Sequence, residues 1–444
     1  LFLGFLERHF QNECKKIFNN MSKSYKKTHI ENHKLHPQTQ MMSYGFDPFM
    51  SEGAVKPPVF LTSTFAFKSA EDGEEFFNVV GGRKAAPQGN VGGLVYSRFN
   101  HPNLEIIEDR MALLEEGEVC NIFSSGMAAI STTFLALLKP NDVIVHSSPL
   151  YGGTETLIKK SLKNWNVSSH EFRDGLDQTS IETALEEGAK KGHVGILFIE
   201  TPANPTNSLV DFSKVKNAVD NFEKKHGYRV VTACDNTLLG PVFQKPLLHG
   251  IDLSCYSLTK YVGGHSDLVA GAIIGRKDLM DKIRATRNSF GAHLDPHSSW
   301  MISRSLETLF LRMERAEKSA LEIADFLKSQ KNIKVFHPKY IENKNYQEVL
   351  KRQCSGFGST FSFEVAGGKT QAFKLINSLK LFKSAVSLGG TESLVCHPSS
   401  TTHSGVAKDV REAMGMTDGL IRLSIGIEDP RDLIADLQQA LLKS

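Results

Sequence analysis

Residues 253–276 read LSCYSLTKYVGGHSDLVAGAIIGR. A strand-like run carries hydroxyls at Ser257 and Thr259, sets Lys260 directly behind them, and passes through a glycine-punctuated turn into a second apolar strand. Lysine is ordinarily solvated. Held between apolar strands, its ammonium loses hydration, its pKa falls, and the free amine becomes a nucleophile of the Schiff-base kind. A structural lysine explains the same stretch, so the neighbouring chain has to decide between the two.

Upstream of Lys260, strand-like runs alternate with helical ones. Val119–Phe123 reads as a strand, Ser124, Ser125 and Gly126 as a tight turn, and Met127–Leu138 as a helix. A strand, a small-residue turn and a helix N-terminus together aim unpaired N–H groups and a helix dipole at one spot, which suits a phosphate; plain helix capping fits equally. Strand Val143–His146 is followed by a turn at Leu150–Thr154 and a helix to about Leu162. Strand Val194–Glu200 then leads into the rigid loop Thr201–Thr206, a helix over Ser213–Lys225 and strand Arg229–Asn236. Helices between apolar strands predict a mostly parallel sheet wound on both faces, with ligands beyond the strands' carboxyl ends. Ser124, Tyr151, Asn204, Asp235 and Lys260 all fall at such ends. Asp235 closes an apolar strand with no cation near in sequence, so it is a satisfied structural carboxylate or the partner of a buried cation such as a cofactor ring nitrogen.

Before this region, Pro48, Pro57 and Pro58 forbid helix and Val59–Phe67 is β-rich, so an extended arm is expected from Gly45. A glycine-rich loop follows at residues 81–93, then Val95, Tyr96 and Arg98 in an extended segment. Asn103 is expected to cap a helix over Leu104–Leu114. Residues 1–44 are polar, basic and without sustained periodicity. They are expected to be a poorly structured or appended extension, with Met21, Met41 and Met42 as alternative starts. Their short apolar cluster has no basic region before it and does not make a signal peptide.

After Ser298 the chain turns to long amphipathic helix, read as one element over residues 299–330. A smaller α+β domain follows, with strands at Ser359–Val365, Lys383–Leu388 and Leu420–Ile427. Arg422, flanked by Ile421 and Leu423 inside a strand, is a carboxylate clamp or half of a structural ion pair. The pairs His293/His297 with Asp295, and His397 with His403, lack further ligands at metal-site spacing, so capping or surface roles and no metal are expected.

Bulk properties narrow the class. A chain of 444 residues with 40% hydrophobic and 23% charged content suits a soluble protein of two or three domains. A net charge of +3 gives no support to a nucleic-acid or polybasic membrane role. Six dispersed cysteines without a C-x-x-C pair fit reduced thiols in a cytoplasmic protein. No apolar run reaches transmembrane length.

Taken in order, the motifs YSR (96–98), SSGM (124–127), YGG (151–153), ETPANP (200–205), DN (235–236), SLTKY (257–261), SLGG (387–390), HPSSTTH (397–403) and RLSIGIED (422–429) resemble the Cys/Met-metabolism family of pyridoxal-phosphate enzymes. That family holds the cystathionine synthases and lyases, methionine gamma-lyase and the acylhomoserine sulfhydrylases. The resemblance covers residues 45–444. It implies an α/β fold of the aspartate-aminotransferase-like type (fold type I), with a mostly parallel sheet and a smaller C-terminal α+β domain. The implied division is an arm over 45–103 that contacts a neighbouring subunit, a cofactor domain over 104–298, and a C-terminal domain over 299–444 entered by the long helix.

By the same resemblance, Lys260 carries pyridoxal 5'-phosphate covalently and moves the substrate's α and β protons, while Asp235 pairs with the ring nitrogen. Gly126 and Met127 N–H groups and the Ser257 and Thr259 hydroxyls hold the phosphate. Tyr96 and Arg98 reach the phosphate of the neighbouring subunit, which implies a catalytic homodimer, commonly paired into a tetramer. Tyr151 stacks on the ring and serves the leaving group, and Arg422, with Asn204 and the Ser387 region, grips the substrate carboxylate.

Cystathionine enzymes of the gamma type commonly place acidic residues just before the YSR and SLGG motifs; here Val95 and Val386 stand there. An apolar lining suits a short thioether or an acyl ester better than a second charged group. Against a dedicated methionine gamma-lyase, which typically has cysteine after Tyr-Gly, this chain has Gly153. The leading expectation is a carbon–sulfur lyase acting by elimination on methionine-like or cystathionine-like amino acids. The alternative is γ-replacement on an O-acylhomoserine. A third reading, a cofactor-binding homologue without turnover, is opposed by the presence of Lys260, Asp235, Tyr151 and Arg422 together.

Overall fold

Seven strands form the main sheet: β1 Val119–Phe123, β2 Asp142–Ser147, β3 Ser168–Phe172, β4 His193–Glu200, β5 Val231–Asp235, β6 Leu253–Ser257 and β7 Gly271–Gly275. Their spatial order is β1-β7-β6-β5-β4-β2-β3, and β7 alone runs against the others. The computed structural model describes residues 25–80, 83–85 and 93–443. The expectations for residues 1–24 and for most of the 81–93 loop lie outside the described residues.

Helices cover both sheet faces, which is why β2 is buried at every position. On one face α3, Gly126–Leu137, and α6, Lys277–Phe290, pack over Phe123, Phe198, Ala233 and Cys255. The other face meets α4, Gln178–Ala189, and α5, Phe212–His226, over Val145, Leu197 and Cys234. Farther along that same face α2, Pro102–Glu115, and α7, Pro296–Leu306, cover Ile122, Tyr256 and Ala272. An earlier helix, α1 at Ala70–Val80, interrupts the segment after the extended arm. Strand β3 and helices α1, α4 and α6 are additions to the sequence reading.

Capping differs from expectation at α2. His101 is the N-cap, its Nδ1 accepting from the Leu104 N–H, and Pro102 occupies the first turn. Asn103 instead holds the arm: Oδ1 accepts from Phe60 N–H at 2.9 Å and Nδ2 donates to the Pro58 carbonyl at 2.8 Å. Upstream, residues 25–44 include a two-residue ladder, His29–Ile30 with His33–Lys34, and a fully buried Met41.

The element read as one helix over 299–330 is two, α7 and α8, the latter Leu309–Lys328. Thr308 leaves helical geometry at the break. Arg312 makes the break tenable by donating to the Ser305 carbonyl at 2.8 Å. The second sheet comprises β8 Ile333–Phe336, β9 Thr360–Val365, β10 Lys383–Ser384, β11 Leu394–Cys396 and β12 Leu420–Ser424, ordered β8-β9-β12-β11-β10. The strands expected to reach Leu388 and Ile427 therefore stop early, at Ser384 and Ser424. Beyond Ser384 the backbone turns its 386 and 387 carbonyls onto Arg422, which ends the ladder.

Among the described residues no helix is long and apolar enough to cross a membrane. Asp295 caps α7, and His397 bonds Ser400 and the Asp418 carbonyl.

Candidate active site

Lys260, Asp235, Ser257, Asn204, Ser387 and Arg422 converge where the carboxyl ends of β4, β5 and β6 meet the second sheet. Glu200 and Asp235 are register partners on adjacent parallel strands, so their side chains share one face. Ser257, two residues beyond the Asp235 partner Cys255, shares it too.

Helix α3 begins against that face. Ser125 is its N-cap and accepts from the Ala128 N–H, which leaves the Gly126 and Met127 N–H groups without a partner among the described residues. The approach is close: a Cβ on Gly126 would lie 3.0 Å from Ser257 Cβ, and one on Gly271 would lie 2.2 Å from the Ser125 carbonyl oxygen. The helix end is thus wedged between β6 and β7, its free donors and positive dipole at the Ser257 side. The Thr259 hydroxyl is engaged differently from Ser257: it accepts from the Ala270 N–H at 3.0 Å and donates to the Ala270 carbonyl at 3.2 Å.

Lys260 Nζ donates to Ser387 Oγ at 2.9 Å. Burial lowers the lysine's pKa, and the Arg422 charge lowers it further. Arg422 is 2% exposed; Nη2 donates to the Val386 and Ser387 carbonyls at 2.9 and 2.8 Å, and Nη1 to Asn204 Oδ1 at 3.3 Å. Its Nε is buried with no partner among the described residues. The SLGG turn that carries Ser387 bends at Gly389, whose φ is +76° and whose Cβ would meet the Tyr261 nitrogen at 2.7 Å. Only glycine fits there.

Asp235 Oδ1 accepts from Thr237 Oγ1 at 2.6 Å and from Thr237 N–H at 3.1 Å, which leaves Oδ2 without a donor among the described residues. Burial raises the pKa of Asp235 despite these bonds. Burial first, then the Asp235 charge, raises the pKa of Glu200. Two residues given no role in the sequence reading thus belong to the constellation. Glu200 accepts from Tyr151 N–H at 2.6 Å and Asn204 N–H at 3.1 Å, tying two site loops together. Thr237 Oγ1 also accepts from Ser257 N–H at 2.9 Å and so joins Asp235 to Ser257. An acid closing an apolar strand was the available signal for Glu200; Thr237 had none.

Tyr151 projects outward, and its ring lies where a side chain on residue 153 would be, with Cε1 2.6 Å from a Cβ built on Gly153. Val386 is 58% exposed at the rim. Tyr96 and Arg98 stand apart from these residues. Arg98 packs on Phe99 at 4.4 Å and donates to the Asn288 carbonyl, while Tyr96 is 41% exposed. Val95 pairs through its carbonyl with Phe65 N–H.

Residues 38–442 match the model of the family described as Cys/Met metabolism PLP-dependent enzyme. The chain belongs to that family. It is 40% identical over 400 residues, 88% of this chain and 94% of the relative, to an L-methionine gamma-lyase of Fusobacterium nucleatum subsp. nucleatum. It is 35% identical to a cystathionine gamma-lyase of Bacillus subtilis over 91% of this chain and 98% of the relative. Among solved structures, a cystathionine gamma synthase from Xanthomonas oryzae pv. oryzae superposes with a TM-score of 0.81 at 32% identity, covering 92% of this chain and 98% of the other.

Members of this family are enzymes whose cofactor is pyridoxal 5'-phosphate. The residues here fit that molecule at each of its ends. Two free helix N–H groups and the Ser257 hydroxyl suit a phosphate, and the half-buried Asp235 carboxylate, whose Oδ2 has no donor among the described residues, suits a ring-nitrogen cation. A lysine with a depressed pKa suits the aldehyde. The unpaired Arg422 Nε suits the carboxylate of an amino-acid substrate.

Proposed function

We propose that this enzyme is a carbon–sulfur lyase of sulfur amino-acid metabolism, a transsulfuration-type activity. It would remove the β or γ substituent of methionine-like or cystathionine-like amino acids, releasing a keto acid, ammonia and a thiol. The observation that carries the reading is the pairing of a buried carboxylate grip, Arg422, with an apolar rim at Val386 and no acid in the Val95 or Val386 position. Within that class the rim favours methionine-like over cystathionine-like substrates, because a second amino-acid ammonium would meet valine there instead of a carboxylate, whereas a thioether needs no such partner. The names of the relatives, lyases acting on methionine or cystathionine, point the same way.

When bound, the cofactor supplies an electron sink for the pair left as the substrate's α proton departs. The chain's own residues do the rest. Asp235 keeps the ring nitrogen protonated through Oδ2, braced by Thr237. Gly126, Met127 and Ser257 hold the phosphate, joined by Thr259 once its proton leaves the Ala270 carbonyl. Arg422 Nε and Asn204 orient the substrate carboxylate and thereby the Cα–H bond. Lys260 Nζ, short of hydration and with Ser387 Oγ as an alternative partner, takes the α proton and moves it onward. Tyr151 stands over the leaving group and gives or takes the proton there, a role worth about 10²- to 10⁴-fold.

The working unit in this proposal is a homodimer, further paired into a tetramer, acting in the cytoplasm on small amino acids. Its support is that Tyr96 and Arg98 lie outside their own chain's constellation, and that the arm exposes Phe49, Met50, Val55 and Leu61. The second reading, γ-replacement on an O-acylhomoserine, is favoured by Gly153, since the observed Tyr151 ring pose excludes any side chain there. A substrate panel separates the two: methionine, homocysteine, cystathionine and O-acylhomoserines, with and without thiol, followed by product analysis. Keto acid from methionine without added thiol is expected. Turnover only of an O-acylhomoserine with thiol would establish replacement, and keto acid only from β-cleavage of cystathionine would refute the reading of the valine rim.

A further inference from the structure

Behind the site, on the opposite sheet face, a polar network begins where the backbone ladders end. The last ladder rungs in the region are Glu200 with Asp235 and Asp235 with Cys255. Just past the first of these, Gln244 Nε2 donates both to the Thr201 carbonyl at 2.7 Å and to Asn236 Oδ1 at 2.9 Å. Asn236 Nδ2 donates in turn to the Gln244 carbonyl at 2.9 Å and to the Tyr256 hydroxyl at 2.7 Å. The Tyr256 hydroxyl donates to Glu115 Oε2, at the last residue of α2. Glu115, Asn236, Gln244 and Tyr256 are all buried.

Asn236 and Tyr256 are immediate neighbours of residues facing the cofactor side, Gln244 reaches a third such neighbour at Thr201, and Glu115 joins through Tyr256. Thr201 follows Glu200, Asn236 follows Asp235, and Tyr256 precedes Ser257. Alternation along a strand puts the network on one face and the site on the other. Gly240 closes over it so tightly that a Cβ would lie 2.1 Å from Asn236 Nδ2 and 2.4 Å from the Tyr256 hydroxyl. That glycine has no positive φ to explain it, so the space it leaves is what it contributes.

We propose that Glu115, Tyr256, Asn236 and Gln244 form a positioning strut that fixes the spacing of the β4, β5 and β6 ends, and so the separation of Asp235 from Ser257. This rests on the reading that those two residues hold the ring nitrogen and the phosphate of one rigid molecule. Because that molecule spans a set distance, a change in strand-end spacing weakens both contacts together. The four network residues are positioning residues and touch neither substrate nor cofactor.

The test measures the dissociation constant of pyridoxal 5'-phosphate, by titration of the apo-protein of full length, alongside its melting temperature and circular dichroism. Tyr256→Phe removes the shared hydroxyl. Gly240→Ala keeps every hydrogen-bonding group and intrudes a methyl, so it answers the question if Tyr256→Phe does not fold. Both are expected to bind the cofactor at least fivefold more weakly than wild type at a temperature where their apo-proteins are folded. Glu115→Gln, which keeps an acceptor for Tyr256, is expected to stay within fivefold, and Glu115→Leu to fall outside it. A melting temperature that drops while affinity stays within fivefold in Tyr256→Phe, or in Gly240→Ala if the former does not fold, would overturn the strut. Asp235→Ala serves as the control for the underlying reading: if it binds as wild type, that reading fails; if it alone weakens binding, only the strut fails.

Discussion

Arg422 sets much of the chemistry around Lys260, since its charge adds to burial in lowering the lysine's pKa while its Nε waits unpaired. Replacing it removes a charge-assisted carboxylate contact of roughly 1.5–3 kcal/mol. Arg422→Ala is therefore expected to raise KM for the amino acid roughly ten- to a hundredfold; steady-state kinetics showing an unchanged KM would refute the clamp. Glu115 gives a second prediction, about stability. Burial pushes its pKa up to about 8, against partial relief from Tyr256, Ser254 and Lys245 and with added repulsion from Glu116. The folded state thus holds a proton that the unfolded chain releases near pH 4.5, so this stabilisation is complete below that pH and is lost as pH rises to about 8. Melting temperatures of the wild type should fall between pH 5 and 8 relative to Glu115→Gln, and parallel curves would contradict the assignment. What made Lys260, Asp235 and Arg422 legible in the sequence was a misfit, a charged group in an apolar strand. Thr237 and Tyr256 offered none, because a hydroxyl beside a strand end is ordinary until the register is known.

At the scale of elements, the wedge of α3 between β6 and β7 carries the phosphate end of the site. A methyl at residue 271 would meet the Ser125 carbonyl at 2.2 Å, so Gly271→Ala must displace the helix N-terminus. Loss of the two aligned N–H donors should weaken cofactor binding at least tenfold in titrations of the apo-protein, about 1.4 kcal/mol or more. Unaltered affinity would mean that the helix end does not bind the phosphate. Strand and helix identities in this region follow from apolar runs and small-residue turns, and the central sheet contains each strand those runs predict. Boundaries governed by distant partners did not. The α7–α8 break depends on Arg312 reaching back to Ser305, the early end of β10 on Arg422 drawing in two carbonyls, and Asn103's role on the arm lying across α2. The Arg422 and Asn103 partners are distant in sequence, and the Arg312 contact, seven residues back, depends on a side-chain direction that periodicity does not give.

For the molecule as a whole, the lysine comes from the large sheet and the arginine from the small one, and Ser387 joins them by accepting from Lys260 through Oγ and from Arg422 through its carbonyl. The site therefore depends on how the two sheets sit against each other. It also depends, in the proposed dimer, on a second chain. Mixing Tyr96→Phe and Lys260→Ala subunits should restore part of the activity, because one of the two shared sites then receives both native residues. No recovery after demonstrated subunit exchange would contradict the shared site. The central claim, that Lys260 drives elimination of a sulfur substituent, is tested most directly by keto-acid release from methionine, wild type against Lys260→Ala. Equal yields of keto acid, ammonia and thiol are predicted from the wild type, with the variant slower by roughly 10²- to 10⁴-fold. Keto-acid release by Lys260→Ala at the wild-type rate, or none from the cofactor-loaded wild type, would contradict it.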